Sequence, residues 1–259
     1  MPQQMFRLDG RIAFVSAARG HLGRAMARAL GHAGAHVIVN GRDDRALAEF
    51  EAELRAEGLS VERAAFDVCE VGQVRSFFAA RPRLDILVNN AVSMQVKPFA
   101  ALTAEDFART YQSSVTVSFE AVRAALPALK AAVAAAGEAS VINIASMYGT
   151  VAPQAMLYTD PDAQSPFHYG PAKAGLIQLT RHLAAEFGPQ KIRVNALAPG
   201  PFPARIADVA FGQRLASRTM LGRLGEAEEI AGPLLFLASP AASFVTGAVL
   251  AVDGGWTAW

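Results

Sequence analysis

The chain has 259 residues, of which 52% are hydrophobic, and a formal net charge of +1. A chain of this length can bury a large core, whereas its nearly balanced charge provides no basic surface of the kind that nucleic acids require. We therefore expect a globular protein without a nucleic-acid partner.

The single cysteine, Cys69, excludes an intramolecular disulfide and offers no metal-binding cluster, which fits a reducing compartment. No apolar run approaches the roughly 18 residues that a membrane span needs, and the N-terminal residues lack the apolar core of a signal peptide. No linker rich in proline, glycine or serine divides the chain. We expect a soluble, cytoplasmic protein with one domain over residues 1–259, no metal and no membrane contact.

Short apolar runs alternate with segments of helical periodicity along the chain. Asp43 and Thr103 are predicted to cap helices, and Glu226 to open a later one. The alternation predicts an α/β fold: a doubly wound parallel sheet, Rossmann-like, of about seven strands with helices on both faces and ligands at the carboxyl ends of the strands. The predicted strands span residues 12–15, 35–40, 61–66, 84–89, 141–145, 191–197 and 248–252.

The first unit, residues 11–40, has the pattern of a strand, a tight turn, a helix and a second strand. In a parallel sheet this arrangement places the N-terminus of the helix and its free amides over the strand ends. We expect phosphate to bind there.

Three residues in the middle of the chain predict a proton-transfer site. A strand ends in Ser146, and a later helix begins with Tyr169 and Lys173, which lie four apart and so share a helix face. A positive charge at about 4 Å, with an effective dielectric near 20, favours the phenolate by about 4 kcal/mol. This predicts a pKa for Tyr169 about three units below its ordinary value of about 10. A tyrosine and a lysine at this spacing can also be ordinary surface residues, so the rest of the chain has to decide.

Several short motifs occur in order along essentially the whole chain. Besides the three residues above, they are Val88-Asn89-Asn90-Ala91, Arg193-Val194-Asn195-Ala196, Pro199-Gly200 and Asp253-Gly254-Gly255. Together they resemble the short-chain dehydrogenases/reductases. The resemblance implies hydride transfer between a nicotinamide cofactor and a small-molecule carbonyl or alcohol substrate. It also implies a homo-oligomer, a tetramer or a dimer, built on the long helices near 107–126 and 171–187 and on the C-terminal strand.

The resemblance further implies a role for each matching residue. Tyr169 would exchange a proton with the substrate oxygen, Ser146 would hydrogen-bond that oxygen, and Lys173 would lower the pKa of Tyr169 and hold the nicotinamide ribose. Asp67 would meet the adenine edge, with strand-end capping as the alternative for Asp67 and Asn89. The predicted cofactor contacts are Ser16, Ala18, Arg19, His21, Leu22, Gly23, Asn40, Arg42, Asp67, Val68, Asn89, Ala91, Tyr169, Lys173, Pro199, Gly200 and Phe202.

The glycine-rich turn departs from the family pattern. Where the family has Thr-Gly-x-x-x-Gly-x-Gly, this chain has Ser16, Ala17 and His21 and keeps only Gly23. Glycine permits positive φ and close approach of the backbone to pyrophosphate, so a side chain at His21 is expected to crowd that approach. The alternatives are that Gly20 takes over the turn, that His21 donates a hydrogen bond to a phosphate oxygen, or that His21 is a simple surface residue.

Two further departures concern catalysis. Ser114 occupies the position of the asparagine that supports a water-borne proton path in the family, and Ala204 occupies the position of a threonine. Serine can also hydrogen-bond a water but is shorter than asparagine. The sequence is therefore compatible with a modified relay that includes Ser114, and equally with a weakened one.

The segment between Ser146 and Tyr169 is about ten residues longer than the family norm. The insertion lies within residues 154–167, and we expect it to shape the substrate pocket, because long loops beside catalytic residues are commonly functional. Residues 201–222 are expected to form a substrate loop. The two C-terminal tryptophans are expected to pack either at a subunit interface or within their own subunit.

The predicted cofactor preference rests on the end of the second strand. It carries Asn40-Gly41-Arg42 and no acidic residue, and Arg19 lies in the neighbouring turn. An acidic residue there would bind the ribose hydroxyls of NAD, whereas guanidinium groups suit the extra phosphate of NADP(H). We expect NADP(H) to be favoured over NAD(H). The alternative is that both arginines are solvated, with Arg42 paired to Asp43 or Asp44.

These features predict an oxidoreductase that transfers a hydride between NADP(H) and a carbonyl or secondary alcohol. Candidate substrates are a sugar or polyol, a 3-oxoacyl thioester and a secondary-metabolite ketone; Gln154, Asp160 and Gln164 in the insertion slightly favour the sugar or polyol. The alternative, motivated by the altered turn and by Ser114 and Ala204, is a protein of the same fold with weak or lost catalysis that acts as a binding or assembly subunit.

Overall fold

The computed structural model describes residues 2–160, 162, 164–205 and 208–259. Within these residues, seven parallel strands form one sheet in the order β3-β2-β1-β4-β5-β6-β7. The predicted doubly wound fold is confirmed. The strands are β1 (Ile12–Val15), β2 (His36–Gly41), β3 (Val61–Ala65), β4 (Ile86–Asn89), β5 (Ala139–Ile144), β6 (Ile192–Pro199) and β7 (Val249–Val252).

Helices connect the strands and cover both faces of the sheet. They are α1 (His21–His32), α2 (Asp44–Ala56), α3 (Val71–Ala79), α4 (Ala104–Tyr111), α5 (Val117–Ala136), α6 (Tyr169–Phe187), α7 (Val209–Ala216) and α8 (Ala231–Ala238). A π-helical turn, Gln112–Thr116, joins α4 to α5. Within the described residues, none of these helices is both long and apolar enough to cross a membrane.

Local capping explains where two of the helices begin. The side chain of Asp43 accepts a hydrogen bond from the amide of Ala46 at the start of α2. Thr103 and Asp106 form a reciprocal capping box at the start of α4. Both predicted caps are confirmed. The segment after Glu226 differs slightly from prediction, because a short 3₁₀ turn, Ala227–Ile230, precedes α8.

Alternation along each strand divides the core into two layers. Val15 and Ile142 pack into the layer that contains α1 and α8, whereas Phe14 and Val141 pack into the layer that contains α3 and α5. Neighbouring residues of a strand point to opposite faces, so a strand covered on both faces has to be apolar throughout. This is why the strands appear in the sequence as unbroken apolar runs.

The strand order places four strand ends side by side. β1, β4, β5 and β6 are consecutive neighbours, and their carboxyl ends lead into the segments that begin at Ser16, Asn90, Ala145 and Gly200. β1 is also the point where the connections change direction, with β2 on one side and β4 on the other. In open α/β sheets this crevice is the usual position of a ligand site.

One strand boundary differs from prediction in a way that affects the site. β6 continues through Pro199 instead of ending at Leu197. Proline is tolerated there because the last residue of a strand does not need to donate to the ladder. The strand therefore delivers Gly200, whose amide donates to the carbonyl of Val252, directly to the crevice.

Candidate active site

Ser146, Tyr169 and Lys173 come together at the carboxyl end of β5. Ser146 follows β5 and opens a 3₁₀ turn, and its Oγ accepts a hydrogen bond of 3.2 Å from the amide of Tyr148. Tyr169 is the first residue of α6, and Lys173 follows one turn later on the same face. Ser146 and Lys173 are buried, and Tyr169 is half-buried.

Lys173 is the one cation among these three residues, and only 2% of its surface is exposed. Its Nζ donates a 2.7 Å hydrogen bond to the carbonyl of Ile144 and lies 5.6 Å from the centre of the Tyr169 ring. Burial lowers the pKa of Lys173 to about 7, because a buried ammonium loses its hydration. The lysine can therefore change its charge near neutral pH.

The predicted lowering of the Tyr169 pKa is wrong in this structure. Burial raises the pKa of the phenol above its ordinary value, and the interaction with the Ser146 hydroxyl offsets only part of the rise. The prediction took account of the lysine charge but not of the removal of both groups from water. Here the ammonium is directed to Ile144 and the desolvation of Tyr169 dominates.

We expect the buried lysine to make folding stability depend on pH. Its pKa is lowered from 10.5 to about 7 on folding, so between these values the unfolded chain holds more protons than the folded one. The free energy of unfolding therefore rises with pH in this window, by up to about 1.4 kcal/mol per unit, and the gain is lost as pH falls toward 7. Urea unfolding of the wild type and of Lys173→Met across this range measures the effect. A difference between the two proteins that does not change with pH would contradict it.

Ser114 lies in the π-helical turn between α4 and α5, which packs against α6. The residue is 1% exposed, and within the described part of the chain its Oγ has no hydrogen-bond partner. Its carbonyl accepts a 2.6 Å hydrogen bond from the Ser118 hydroxyl. π-helical turns occur frequently at functional sites, and a buried hydroxyl without a protein partner is suited to binding a water.

The turn after β1 keeps a positive φ angle, which usually requires glycine, although alanine occupies the position. Ala17 has φ of 48°, in the left-handed region that side chains disfavour. Gly20 has φ of −62° and is extended, so the alternative in which Gly20 takes over the turn is wrong. Gly23 is required, because a Cβ there would lie 2.5 Å from the carbonyl oxygen of Ala17. The altered turn therefore still packs closely against the start of α1.

Replacing Ala17 by glycine is expected to stabilise the fold. A left-handed alanine costs about 1–2 kcal/mol, and the greater flexibility of glycine in the unfolded chain returns up to about 1 kcal/mol of that. We expect a net gain of about 1 kcal/mol, seen as a rise of roughly 2–4 °C in Tm. Ala80→Gly is the matched control, since Ala80 is exposed with φ of −82°. A fall in Tm for Ala17→Gly would show that the left-handed backbone carries no strain.

His21 is exposed at the first residue of α1, in accord with the surface alternative. It lines a cavity of about 570 Å³ that also includes Arg24, Arg28 and Pro203. Leu22, its neighbour, packs against the apolar layer that contains α1 and α8. His21 does not line the second cavity, described next, to which Arg19 belongs.

A groove runs over the carboxyl ends of β1, β2 and β4, with a volume of about 520 Å³. Arg19 and Arg42 are exposed on it, and α1 begins beside it with neither a side-chain cap nor an acidic residue in its first turn. This donor set suits an anionic ligand. The predicted cofactor residues that line the groove are Arg19, Asn40, Arg42, Asp67, Val68 and Ala91.

Arg42 is paired differently from the predicted alternative. Its Nη1 lies 4.0 Å from Oδ2 of Asp67, and the side chain remains 80% exposed. Asp43 caps α2 and Asp44 is bound to Arg63 at 2.8 Å, so neither is its partner. Asp67 also accepts a hydrogen bond from the amide of Cys69. The guanidinium is therefore free to move toward a ligand in the groove.

Four predicted cofactor contacts have side chains that are buried in the protein. Asn40 donates through Nδ2 to the carbonyls of Ala64 and Phe66 at 2.9 and 3.1 Å. Asn89 donates to Oδ1 of Asn143 at 2.9 Å. Ser16 and Ala18 are likewise buried at this edge. Of these four residues, only Asn40 lines the groove.

Asn90 is a residue whose function the sequence analysis missed. Its amide donates to Oγ of Ser16 at 2.8 Å, and its Nδ2 donates to the carbonyls of Ser16 and Ala17 at 3.0 and 3.2 Å. These bonds tie the segment after β4 to the turn after β1. Its position in the Val88-Asn89-Asn90-Ala91 motif was the available signal, but the partner could not be identified from sequence.

The segment after β6 approaches the C-terminus closely. A Cβ at Gly200 would lie 2.6 Å from Cα of Asp253, so only glycine fits there. Pro199 precedes it at the end of β6. Phe202 packs against Gly225 and lines a separate cavity of about 420 Å³, apart from the groove that Arg19 lines.

The inserted segment packs on the site side of the molecule. Leu157 is buried in a cluster with Met147 and Trp256. Tyr158 places its hydroxyl 3.2 Å from that of Tyr148, a residue that the sequence analysis did not single out. Trp256 thus packs within its own subunit, whereas Trp259 is largely exposed.

Comparison with known proteins gives consistent matches over the whole chain. Residues 17–257 match the model of the family described as enoyl-(acyl carrier protein) reductase. Galactitol 2-dehydrogenase (L-tagatose-forming) from Cereibacter sphaeroides is 35% identical over 267 residues, which cover 98% of each chain. A rhamnolipid-biosynthesis 3-oxoacyl-[acyl-carrier-protein] reductase from Pseudomonas aeruginosa is 34% identical, covering 97% of this chain and 98% of that protein.

A solved structure shows the same architecture. The crystal structure of a gluconate 5-dehydrogenase from Burkholderia cenocepacia, in complex with NADP and tartrate, matches with a TM-score of 0.88 and 33% identity over 100% of both chains. Identity at this level over the full length supports a shared family as well as a shared fold.

Proposed function

The chain belongs to the short-chain dehydrogenase/reductase family as an NAD(P)-dependent alcohol dehydrogenase or ketoreductase, and on this basis we propose that it uses NADP(H) to interconvert a polyhydroxylated ketone and its secondary alcohol. The observation that carries the proposal is the meeting of Ser146, Tyr169 and Lys173 at the carboxyl end of β5, next to β4, whose carboxyl end borders a groove that presents two arginines.

The groove would hold the cofactor. NADP(H), when bound, supplies or accepts the hydride. Arg19 and Arg42 would bind the 2′-phosphate, since guanidinium groups match phosphate in bidentate geometry. The first amides of α1 would face the pyrophosphate, and Val68 and Ala91 would flank the adenine. The neighbouring gluconate 5-dehydrogenase structure, which contains NADP, supports this preference.

Tyr169 would act as the general acid of the reduction. Its raised pKa keeps the phenol protonated at neutral pH, as an acid requires. Ser146 would hold the substrate oxygen, and the ammonium of Lys173 would stabilise the phenolate left after proton transfer. The unpartnered hydroxyl of Ser114 would carry a proton relay through water, in place of the usual asparagine.

The substrate class is inferred from the neighbours and from the insertion. A polyol dehydrogenase and a gluconate dehydrogenase are among the similar proteins, and so is a 3-oxoacyl reductase. Gln154 and Gln164 in the insertion favour a hydroxylated substrate. We infer that the segments 154–167 and 201–222 contribute the walls of the pocket through their described residues; residues 161, 163, 206 and 207 lie outside the described part of the chain.

A turnover screen tests the proposal. Ketoses, sugar acids, 3-oxoacyl thioesters and simple ketones are offered with NADPH, and polyols with NADP⁺, while cofactor absorbance is followed. We expect turnover with at least one polyhydroxylated substrate. NADPH binding without turnover of any class would favour the alternative of a binding or assembly subunit, for which Ala17, His21, Ser114 and Ala204 are the motivation.

We also propose a homo-oligomer built on α4, α5 and α6. Phe107 on α4 and Phe119 on α5 are each 43% exposed, and Tyr111 on α4 is 50% exposed, so these helices offer apolar surface for a subunit contact. Phe119→Glu is expected to shift the wild-type dimer or tetramer to smaller species in sedimentation velocity. A wild type that sediments as a monomer at micromolar concentration would contradict the proposal.

A further inference from the structure

Two phenol hydroxyls meet beside the reacting residues. Tyr148 Oη and Tyr158 Oη lie 3.2 Å apart, within hydrogen-bonding distance. Tyr148 belongs to the short turn that Ser146 opens, whereas Tyr158 comes from the inserted segment. The insertion therefore contributes a polar atom next to the site.

The position of Tyr158 is fixed by contacts with α7. Nε of Arg214 donates a 2.7 Å hydrogen bond to the carbonyl of Leu157, immediately before Tyr158. The Tyr158 ring packs on Phe211, with 5.4 Å between ring centroids. Leu157 itself is buried against Met147 and Trp256. The insertion and α7 thus hold the tyrosine from two sides.

The pair has unused hydrogen-bonding capacity. Two phenols carry two hydroxyl protons, and the bond between them uses only one. Among the described residues, neither hydroxyl has another hydrogen-bond partner. Both side chains are half-buried, so neither residue is fully closed off from solvent. It can donate one hydrogen bond and accept others, which is the pattern that a hydroxyl group of a ligand satisfies.

The tyrosine pair also lies close to Ser146. The amide of Tyr148 donates to Oγ of Ser146, so the two residues are held in one turn. The pKa of the Tyr148 phenol is raised, first by burial and then by Tyr158, and Tyr169 contributes to the rise. Tyr148 therefore stays neutral at physiological pH, and its hydroxyl acts as a hydrogen-bond partner.

We propose that Tyr148 and Tyr158 form a specificity-determining pair that hydrogen-bonds a substrate hydroxyl adjacent to the reacting carbonyl. The inference rests on the proposed function and adds a selection for α-hydroxy ketones over simple ketones. A methyl group in place of that hydroxyl leaves the spare phenol proton unpaired in a partly desolvated site. Sites built to bond a hydroxyl discriminate strongly against analogues that lack it.

The test uses ketone pairs that differ only by a hydroxyl or a methyl group next to the carbonyl, beginning with hydroxyacetone and butanone. The measured quantity is the ratio of kcat/KM values for the two members of each pair with NADPH. Tyr158→Phe and Tyr148→Phe keep the rings and remove one hydroxyl each. We expect each to lower the ratio by about 5- to 10-fold, as loss of one hydrogen bond predicts.

A double variant tests whether the two hydroxyls act together. Because the two hydroxyls act as one unit, Tyr148→Phe/Tyr158→Phe is expected to lower the ratio by about as much as a single variant, well short of the product of the two. Tyr111→Phe is the matched control, since its half-exposed ring lies on α4 outside the pair. Thermal unfolding and NADPH titration verify that each variant folds.

The outcomes separate the two proposals. The kcat/KM ratio could stay unchanged in folded Tyr148→Phe and Tyr158→Phe variants that still reduce ketones. That result would overturn the proposed role of the tyrosine pair but would not affect the proposed function. A purely structural role would lower both members of each ketone pair equally and would also leave the ratio unchanged. No turnover of any ketone by the wild type would overturn the proposed function and the inference with it.

Discussion

Replacing Tyr169 by phenylalanine is expected to lower kcat for ketone reduction by about 10²- to 10⁴-fold, the usual contribution of a positioned general acid. Burial raises the pKa of the phenol and so keeps it protonated at neutral pH, whereas the same burial lowers the pKa of Lys173. Phenylalanine keeps the ring and removes the proton. NADPH binding is expected to be retained.

The control for Tyr169→Phe is Tyr111→Phe, which removes a phenol from an exposed position on α4. Turnover of this control should equal that of the wild type. Single-turnover kinetics with saturating NADPH separate chemistry from cofactor binding. If Tyr169→Phe retained wild-type single-turnover rates, another group would have to supply the proton.

The second large effect concerns the cofactor. Replacing Arg19 and Arg42 together by alanine is expected to weaken NADPH binding by about 10²-fold or more, since hydrogen bonds to charged groups contribute about 1.5–3 kcal/mol each. NADH lacks the 2′-phosphate, so its Kd should change little. The double variant should therefore reduce or abolish the preference for NADPH, as measured by fluorescence titration of both cofactors.

Arg45→Ala is the matched control for this charge change. Arg45 is 91% exposed at the start of α2, where it lies 3.6 Å from Glu49. Its removal should leave both Kd values unchanged at fixed ionic strength, which matters because long-range attraction depends on salt. If the Arg19 and Arg42 variant lost affinity for NADPH and NADH equally, the arginines would not recognise the 2′-phosphate.

The fold could be predicted because its signals are local. Apolar runs define the strands of a sheet covered on both faces, and Asp43 and Thr103 cap helices through residues only three positions away. The meeting of Ser146 with Tyr169 followed from topology, since both stand at the carboxyl end of one strand. The site residues were therefore identifiable as a set.

The electrostatics of the site could not be predicted in the same way. The pKa of Tyr169 depends on how completely the surrounding layers exclude water, which spacing along a helix does not reveal. Asn40 and Asn89 stand at the predicted groove, but their amides bond to partners 24 and 54 residues away. Whether such a side chain faces a ligand or the core is decided by these distant partners.

The insertion is the least predictable part of the site. Its composition shows that it is polar, but its path is fixed by Arg214 and Phe211 on α7, more than fifty residues later. Neither Tyr148 nor Tyr158 was identified from the sequence as a functional residue. Their pairing emerges only when the insertion and the turn after β5 are seen together.

Deuterium transfer tests the central claim most directly. NADPH that carries deuterium in place of both hydrogens at C4 of the nicotinamide is incubated with the wild type and with the best ketone from the turnover screen, and the alcohol product is examined by mass spectrometry. Hydride transfer at the Ser146, Tyr169 and Lys173 site predicts deuterium on the carbinol carbon, with product formation falling by about 10²- to 10⁴-fold in Tyr169→Phe. Alcohol without deuterium, or labelled alcohol formed equally fast by Tyr169→Phe, would contradict the account.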